Sequence, residues 1–434
     1  MMRLILLLIA LLTLTATVGA HEDTEDHEEE ATMPNIAYTY QNASGNRLVS
    51  GTSTFPDVQT ADLQLDGVPL WVVGGEFNGD LAWIVAMDDG RVLAAQPMPG
   101  AVDGVSGMSI PIGSVEPGQP IAVDFGAAGL PVILTAGDDL SPFSHPVPVD
   151  DDGTLIYVAD NGDLVLWRDD KVLTRITNEI HQLDLRPVVS RDGLIAVYAG
   201  ATDQRYVHAI MGDELEGSSL MIYDIVDDQL SEVARFDLPG NDIFEGISPF
   251  WADLDDDGTE EIVTTVANGQ VGAWIRAYWL NGSGRIAESR SIGQGFRWRH
   301  QIAVGPFGVD GETQLVDVRT PHIGGMPEFF TLLGDELSVN NAQLGYTTHI
   351  IRSRNLDMGL AGDFDGDGQP ELIATDQARQ HVAAVINTDA GVQEAWRLPL
   401  DGQLSSNLAA AQTSDGVLAL AAGTEDGKLR VWLP

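Results

Sequence analysis

The strongest constraint on this chain is a recurring turn. Asp-Gly steps stand at Asp192, Asp257, Asp310, Asp367 and Asp415, at intervals of 65, 53, 57 and 48 residues, each between two apolar runs. An Asp-Gly pair tolerates the left-handed backbone of a tight hairpin, so the runs on either side predict paired strands. Asn78-Gly79 and the turn near Gly126 to Gly129 extend the series to seven units. Segments such as LIYVADNGDLVLW (155–167) and LALAAGTEDGKLRVW (418–432) alternate in the same way, and no stretch over ten residues reads as an amphipathic helix. Four strands with their turns fill about 40 to 50 residues, the period of a propeller blade, whereas solenoids repeat faster. The expected fold is therefore all-β: a seven-bladed β-propeller of four-stranded antiparallel blades. The last unit, from Asn407, has room for only three strands. Open sheet edges invite unwanted pairing, so an N-terminal strand from residues 36–52 or 60–66 is expected to complete that last blade and close the ring.

Composition narrows the chemistry. The 434 residues carry 22 Lys+Arg against 65 Asp+Glu, a net charge of −43, and no cysteine. Disulfides, thiolate metal sites and cysteine nucleophiles are thereby excluded, and any metal must be held by oxygen or imidazole. Binding to phosphate backbones or anionic lipid depends on Lys and Arg displacing counterions, so the charge argues against nucleic acid as a partner. Residues 1–20, MMRLILLLIALLTLTATVGA, combine one Arg, a short apolar run and small residues before Ala20. They read as a signal peptide. The expectation is a secreted or periplasmic protein with no stable membrane insertion after cleavage. Residues 21–35 form an acidic leader, densest in His21–Glu30 (HEDTEDHEEE), expected to stay solvated. Residues 36–434 form the propeller.

Two turns carry more information than the rest. Asp253-Leu-Asp255-Asp-Asp257-Gly-Thr259-Glu-Glu261 and Asp363-Phe-Asp365-Gly-Asp367-Gly-Gln369-Pro-Glu371 both read D-x-D-x-D-G-x-x-E and run into apolar residues. Hard cations such as Ca²⁺ take six or more oxygens. Side chains at positions 1, 3 and 5 converge as the loop curls, Gly at position 6 permits the turn, position 7 offers its carbonyl, and the Glu at position 9 closes the shell. A single acidic turn in so acidic a chain would pass as a soluble hairpin tip. Two matched copies 110 residues apart favour two Ca²⁺ sites. They are not EF-hands, because Thr264 and Ala374 stand where that motif needs its twelfth-position Glu.

The segments PFWADLDDDGTEEIV (249–263) and LAGDFDGDGQPELIA (360–374) resemble the calcium-loop blades of the FG-GAP or VCBS repeat family, related to the propeller of integrin α-subunits. Gly305-Pro306-Phe307-Gly308 resembles the family's name-giving turns more loosely. The resemblance is clearest over 180–375. It implies a calcium-stabilised seven-bladed propeller with metal loops between first and second strands on one face and ligands on the opposite face. It does not fix an activity, since adhesion modules, lectin-like proteins and polysaccharide-active enzymes share the repeat.

If the metal loops join strands one and two, connectivity puts four other segments on the opposite face. These contain Arg205, Tyr206, His208 and Glu214; Arg297, Trp298, Arg299 and His300; Arg319 and His322; and Tyr346, His349, Arg352 and Arg354. Guanidinium forks bind carboxylates and flat rings stack on sugars, so an acidic glycan, an envelope component or another extracytoplasmic protein suits this face. The competing expectation is that the same residues are structural, pairing with Asp213, Glu214, Glu216 and Glu328. Enzymatic activity is the weaker expectation. His208 stands near Ser218 and Ser219, and Asp213, Glu214 and Glu216 offer carboxylates for a hydrolase or lyase, but no nucleophile elbow or HExxH motif is present. A non-catalytic scaffold is the third reading.

Overall fold

The computed structural model describes residues 35–97, 107–126, 130–341 and 344–434. The expected signal peptide, the leader up to residue 34 and most of the 126–129 turn lie outside the described residues. Among the described residues there are 34 strands and no helix. The cause is local: short runs of Val, Ile, Leu, Ala and Tyr, broken every few residues by Gly, Asp or Asn, pack well on a pleated surface and are too short for stable helix.

Consecutive strands form antiparallel four-stranded sheets. Three run from Pro69–Phe77 to Gly107–Ser114, from Val147–Pro148 to Lys171–Ile176 and from Val188–Val189 to Gln229–Asp237. Two more, ending in Ile286–Ser289 and Glu336–Asn341, join through a parallel pairing of those last strands, with Glu288 opposite Glu336. In the next, Leu360–Asp363 to Gly391–Pro399, the first strand also pairs in parallel with Leu48–Thr52. The final sheet contains Leu404–Gln412, Leu418–Thr424 and Lys428–Leu433, and Gln59–Gln64 adds its fourth strand, antiparallel to Lys428–Leu433 from Gln59 opposite Leu433 to Gln64 opposite Lys428. Of the two N-terminal segments expected to supply that strand, the later one does so. Ile36–Tyr38 instead joins Ala122–Asp124 and Val132–Ile133 in a three-stranded sheet.

Burial grades across each sheet. Ile195–Ala199 is buried throughout, whereas Gln229–Asp237, the last strand of the same sheet, alternates exposed and covered residues. First strands of neighbouring sheets lie side by side. The amide of Asn407 in the last sheet brackets Val72 in the first, accepting from its N–H at 2.7 Å and donating to its carbonyl at 2.8 Å.

The segment from Tyr38 to Leu48 runs between the first strands. Its carbonyls at Ala43 and Ser44 accept the N–H groups of Val189 and Trp251, and Arg47 donates its N–H to Ile302 and accepts from Ala361. At its centre Asp357 is buried, gripped by Arg186 through two bonds of 3.0 and 2.8 Å, by Arg47 at 3.3 Å and by the Thr39 hydroxyl at 2.7 Å. Burial alone would raise the Asp357 carboxyl, yet the two guanidiniums hold it below its ordinary value. Losing either Arg would leave buried charge uncompensated, the costly half of a buried ion pair.

Candidate functional site

The loop 253–261 joins Phe250–Ala252 to Glu261–Asn268, and 363–371 joins Leu360–Asp363 to Glu371–Asp376. Both are first-to-second-strand connections. The second residue of each, Leu254 or Phe364, is buried in the core and pins the loop to its sheet. Its N–H donates at 2.8 Å to the position-9 glutamate, Glu261 or Glu371, so that carboxylate folds back under the turn. The first aspartate closes the curl from the other side. Asp253 accepts from the N–H groups of Asp257 at 3.1 Å and Gly258 at 3.0 Å, and Asp363 from Gly366 at 2.8 Å and Gly368 at 3.2 Å. Gly258 and Gly368 have φ of +89° and +91°, where a Cβ would be strained.

The result is convergence of oxygens. One carboxylate oxygen from each of Asp253, Asp255 and Glu261 lies within 4.8 Å of the others, as does one from each of Asp363, Asp365 and Asp367. Ligands about 2.4 Å from a shared Ca²⁺ can be at most about 4.8 Å apart, so both sets fit one hard cation. Asp257 stands outside the first set and Glu371 outside the second. Thr259 donates its N–H and hydroxyl to Asp257, and the Gln369 amide donates to the carbonyls of Phe307 and Asn387. Position 7 is thus left with its main-chain carbonyl to offer. Packing like charges this closely shifts their titration. Burial, then Asp255, Asp257 and Asp253, push Glu261 up to about 7. Burial and neighbouring Asp365 raise Glu371, and burial and neighbouring Asp367 and Asp363 raise Asp365. A divalent cation would supply the missing counter-charge.

The opposite end is built from loops after second and fourth strands, and its charges are largely neutralised from within. Arg299 is buried between Asp317, at 2.8 Å, and Glu328; Arg319 reaches Glu328 at 2.9 Å; Arg354 bridges Asp184 at 3.1 Å and Asp213 at 2.9 Å. Arg205 donates to the carbonyls of Leu238 and Asp242. Arg297 and Arg352 are exposed, as is Glu214. Tyr206 and Tyr346 are buried, the latter donating its hydroxyl to Glu394.

Trp298 is the centre of an imidazole stack. Its ring lies 4.6 Å from His300, 5.8 Å from His322 and 5.1 Å from His349. The tautomers follow from the partners: His349 Nε2 donates to the Ser353 carbonyl at 2.7 Å, so its Nδ1 accepts from His322 Nε2 at 2.6 Å. His300 Nε2 accepts from Arg47, so its Nδ1 donates to Thr348. Burial lowers all three, His322 to about 4, His349 to about 3 and His300 well below its ordinary value, so the stack is neutral at pH 7.

Beside it, His208 pairs with buried Glu245. Burial raises Glu245, Glu216 and Asp184, the last to about 6. The serines considered as nucleophiles donate elsewhere, Ser218 to the Gly200 carbonyl and Ser219 to Asp237. Sequence reasoning missed Glu245, Asp184 and Phe296. An isolated glutamate in the apolar run DIFEGISPFW was the available signal for Glu245; Asp184 and Phe296 had none.

No protein-family model matches the chain, and no curated protein matches it. Among solved structures, the crystal structure of Saccharomyces cerevisiae Sqt1 aligns with 90% of this chain and 99% of its own at 12% identity and a TM-score of 0.40.

Proposed function

We propose that this chain is an exported, calcium-loaded β-propeller of the FG-GAP/VCBS type that works as a binding module. In this reading the sheets close into a ring of seven four-stranded blades with the short three-stranded sheet set among them, and Gln59–Gln64 is the closing strand. Two Ca²⁺ ions sit in the loops 253–261 and 363–371. The ligand, a glycan, an envelope component or a protein, meets the Arg/His end.

The observation that carries the reading is the doubled cage. The same nine-residue pattern, on the same first-to-second-strand connection, gathers three carboxylate oxygens within 4.8 Å twice. Non-catalytic binding is favoured over a hydrolase or lyase because two of the three candidate acids are engaged or covered, Asp213 by Arg354 and Glu216 by burial, leaving exposed Glu214 alone, and the candidate base His208 pairs with buried Glu245. Isothermal titration of the metal-stripped mature protein with Ca²⁺ tests the cages; two sites are expected, and titration with no heat of binding would remove the metal reading. Glycan-array and protein-overlay screening, with and without calcium, tests the binding role.

A further inference from the structure

The Arg/His end carries several exposed apolar side chains, among them the two most exposed large ones of the described residues, beside arginines without an ion-pair partner there. Ile323 is 75% exposed, Phe296 64%, Leu344 57% and Ile351 56%. Their loops are laced together by main-chain bonds: Thr320 donates to the Trp298 carbonyl at 2.8 Å, Gly345 to Gly324 at 2.7 Å, and Arg352 to Ile210 at 2.8 Å. Phe296 is held flat against Tyr206 and His208, with ring centroids 5.6 and 5.4 Å away. These side chains therefore stand on a braced platform, and a surface already ordered loses less entropy when it docks. Clustered exposed apolar side chains mark contact with another molecule, where scattered ones do not.

The charge on this platform selects the partner. Arg297 and Arg352 adjoin Phe296 and Ile351 in the chain, are exposed, and make no ion pair among the described residues. Neighbouring Arg299, Arg319 and Arg354 are all paired. Two guanidiniums without an ion-pair partner among the described residues can each take a carboxylate, with exposed Glu214 on the loop that Arg352 bonds as a competing acid. Of the flat rings that could stack on a pyranose, Trp298, Tyr206 and Tyr346 are buried and Phe296 is exposed, while the exposed Ile323, Leu344 and Ile351 are branched aliphatic. That combination suits polypeptide side chains better than sugar faces.

We infer that this end docks a segment of a partner protein bearing carboxylates among large apolar side chains, the carboxylates on Arg297 and Arg352 and the apolar groups on Phe296, Ile323 and Ile351. The inference rests on the reading of this end as the ligand face and names the ligand's class.

A phage-displayed library of random linear peptides, panned on the mature protein with calcium, tests it, with a panel of acidic oligosaccharides run alongside. Enriched peptides are expected to combine Asp or Glu with Leu, Ile, Phe or Trp. Their Kd should rise by about tenfold or more in the Arg297→Glu/Arg352→Glu protein and in Ile323→Ser. Both sites are on the surface, and an unchanged melting curve verifies that each variant is folded. Enrichment without acidic residues, or equal binding to the variants, overturns the inference. Saturable binding of the oligosaccharides, lost in the double Arg variant while no peptide is enriched, overturns the peptide class yet keeps the binding face. Failure of both panels overturns the two readings together.

Discussion

The two acidic loops share a pattern and differ in counter-charge. In the first, Arg285 stands against Asp255 at 2.7 Å while its own ring neighbour Trp279 donates to the same oxygen at 3.1 Å. Arg285 is held there by Asp335 at 3.0 Å and by the face of Trp279, 4.0 Å from the ring centroid. The second loop has no cation in contact among the described residues; its tryptophan, Trp396, donates instead to Glu371 at 3.2 Å. The same nine-residue motif thus makes one carboxylate cluster that is partly neutralised by the fold and one whose charge no side-chain cation among the described residues offsets. The motif supplies the carboxylates; which of them converge, and how much charge is left for a metal, depend on what packs beside the loop.

The largest expected effect tests both cages at once. A ligand that binds only the folded state at 100 times its Kd stabilises by about 2.7 kcal/mol, so two such sites give on the order of 5 kcal/mol. Chelation should lower the Tm measured by calorimetry by a correspondingly large amount. Coincident curves with and without excess chelator would falsify the cages and, with them, the comparison.

The calcium-dependent difference in Tm should itself depend on pH. Glu261 and Glu371 have folded-state values above their ordinary 4.5 in the absence of metal. A raised value means that the folded state holds its proton more tightly, so the metal-free protein is helped below pH 4.5 and loses that help as pH rises through about 7 at Glu261. Calcium replaces the lost proton, and proton and metal compete for the same oxygens. The gap between calcium-loaded and metal-free curves should therefore widen from pH 5 to pH 8. The buried neutral histidines act on both curves alike and drop out of the difference. A gap that is flat or narrows with rising pH contradicts the assignment.

A sharper contrast lies in sign. Without calcium, Asp365→Asn removes one of several crowded negative charges and should raise the Tm, whereas Asp255→Asn weakens the partner of Arg285 and should lower it. Each change is expected to be about 1 kcal/mol, the scale of a partly exposed ion pair. With calcium both variants should be less stable than the parent, additively, since the sites are distant. Shifts of the same sign in the metal-free state would show that Arg285 does not distinguish the loops.

What could be read in advance follows the range of the interactions. The Asp-Gly turns and flanking alternation are local, and so is the curl of the metal loops: the bonds from Asp253 and Asp363 reach at most five residues along the chain. The loops' placement on strand-one connections was legible for that reason. The sheet that the N-terminal segment joins was legible only as a choice between two stretches, because Gln59–Gln64 pairs with Lys428–Leu433 near the other end of the sequence. The fate of the basic residues was legible only in part: pairing with Asp213 and Glu328 was one of two open expectations, but not which arginines would take them or which would stay free. Arg354 pairs with carboxylates 170 and 141 residues away, and Arg186 with Asp357 171 residues away. Residue type gave Arg299 and Arg297 equal standing; only tertiary packing buries the first between Asp317 and Glu328 and leaves the second in water.

The smallest effect isolates the cause of the asymmetry. In an Asp365→Asn background, where only the first loop binds, Arg285→Gln takes away the built-in cation and frees Asp255 for metal. A unit charge beside a partly exposed site is worth about 1 kcal/mol, so calcium affinity measured by titration should rise about fivefold. High salt should shrink the difference, because the pair is screened while direct coordination is not. The variant also loses the contact with the Trp279 face, so its metal-free Tm should fall even as its affinity increases. That opposition separates the electrostatic account from simple loosening of the loop, which would lower stability and affinity together.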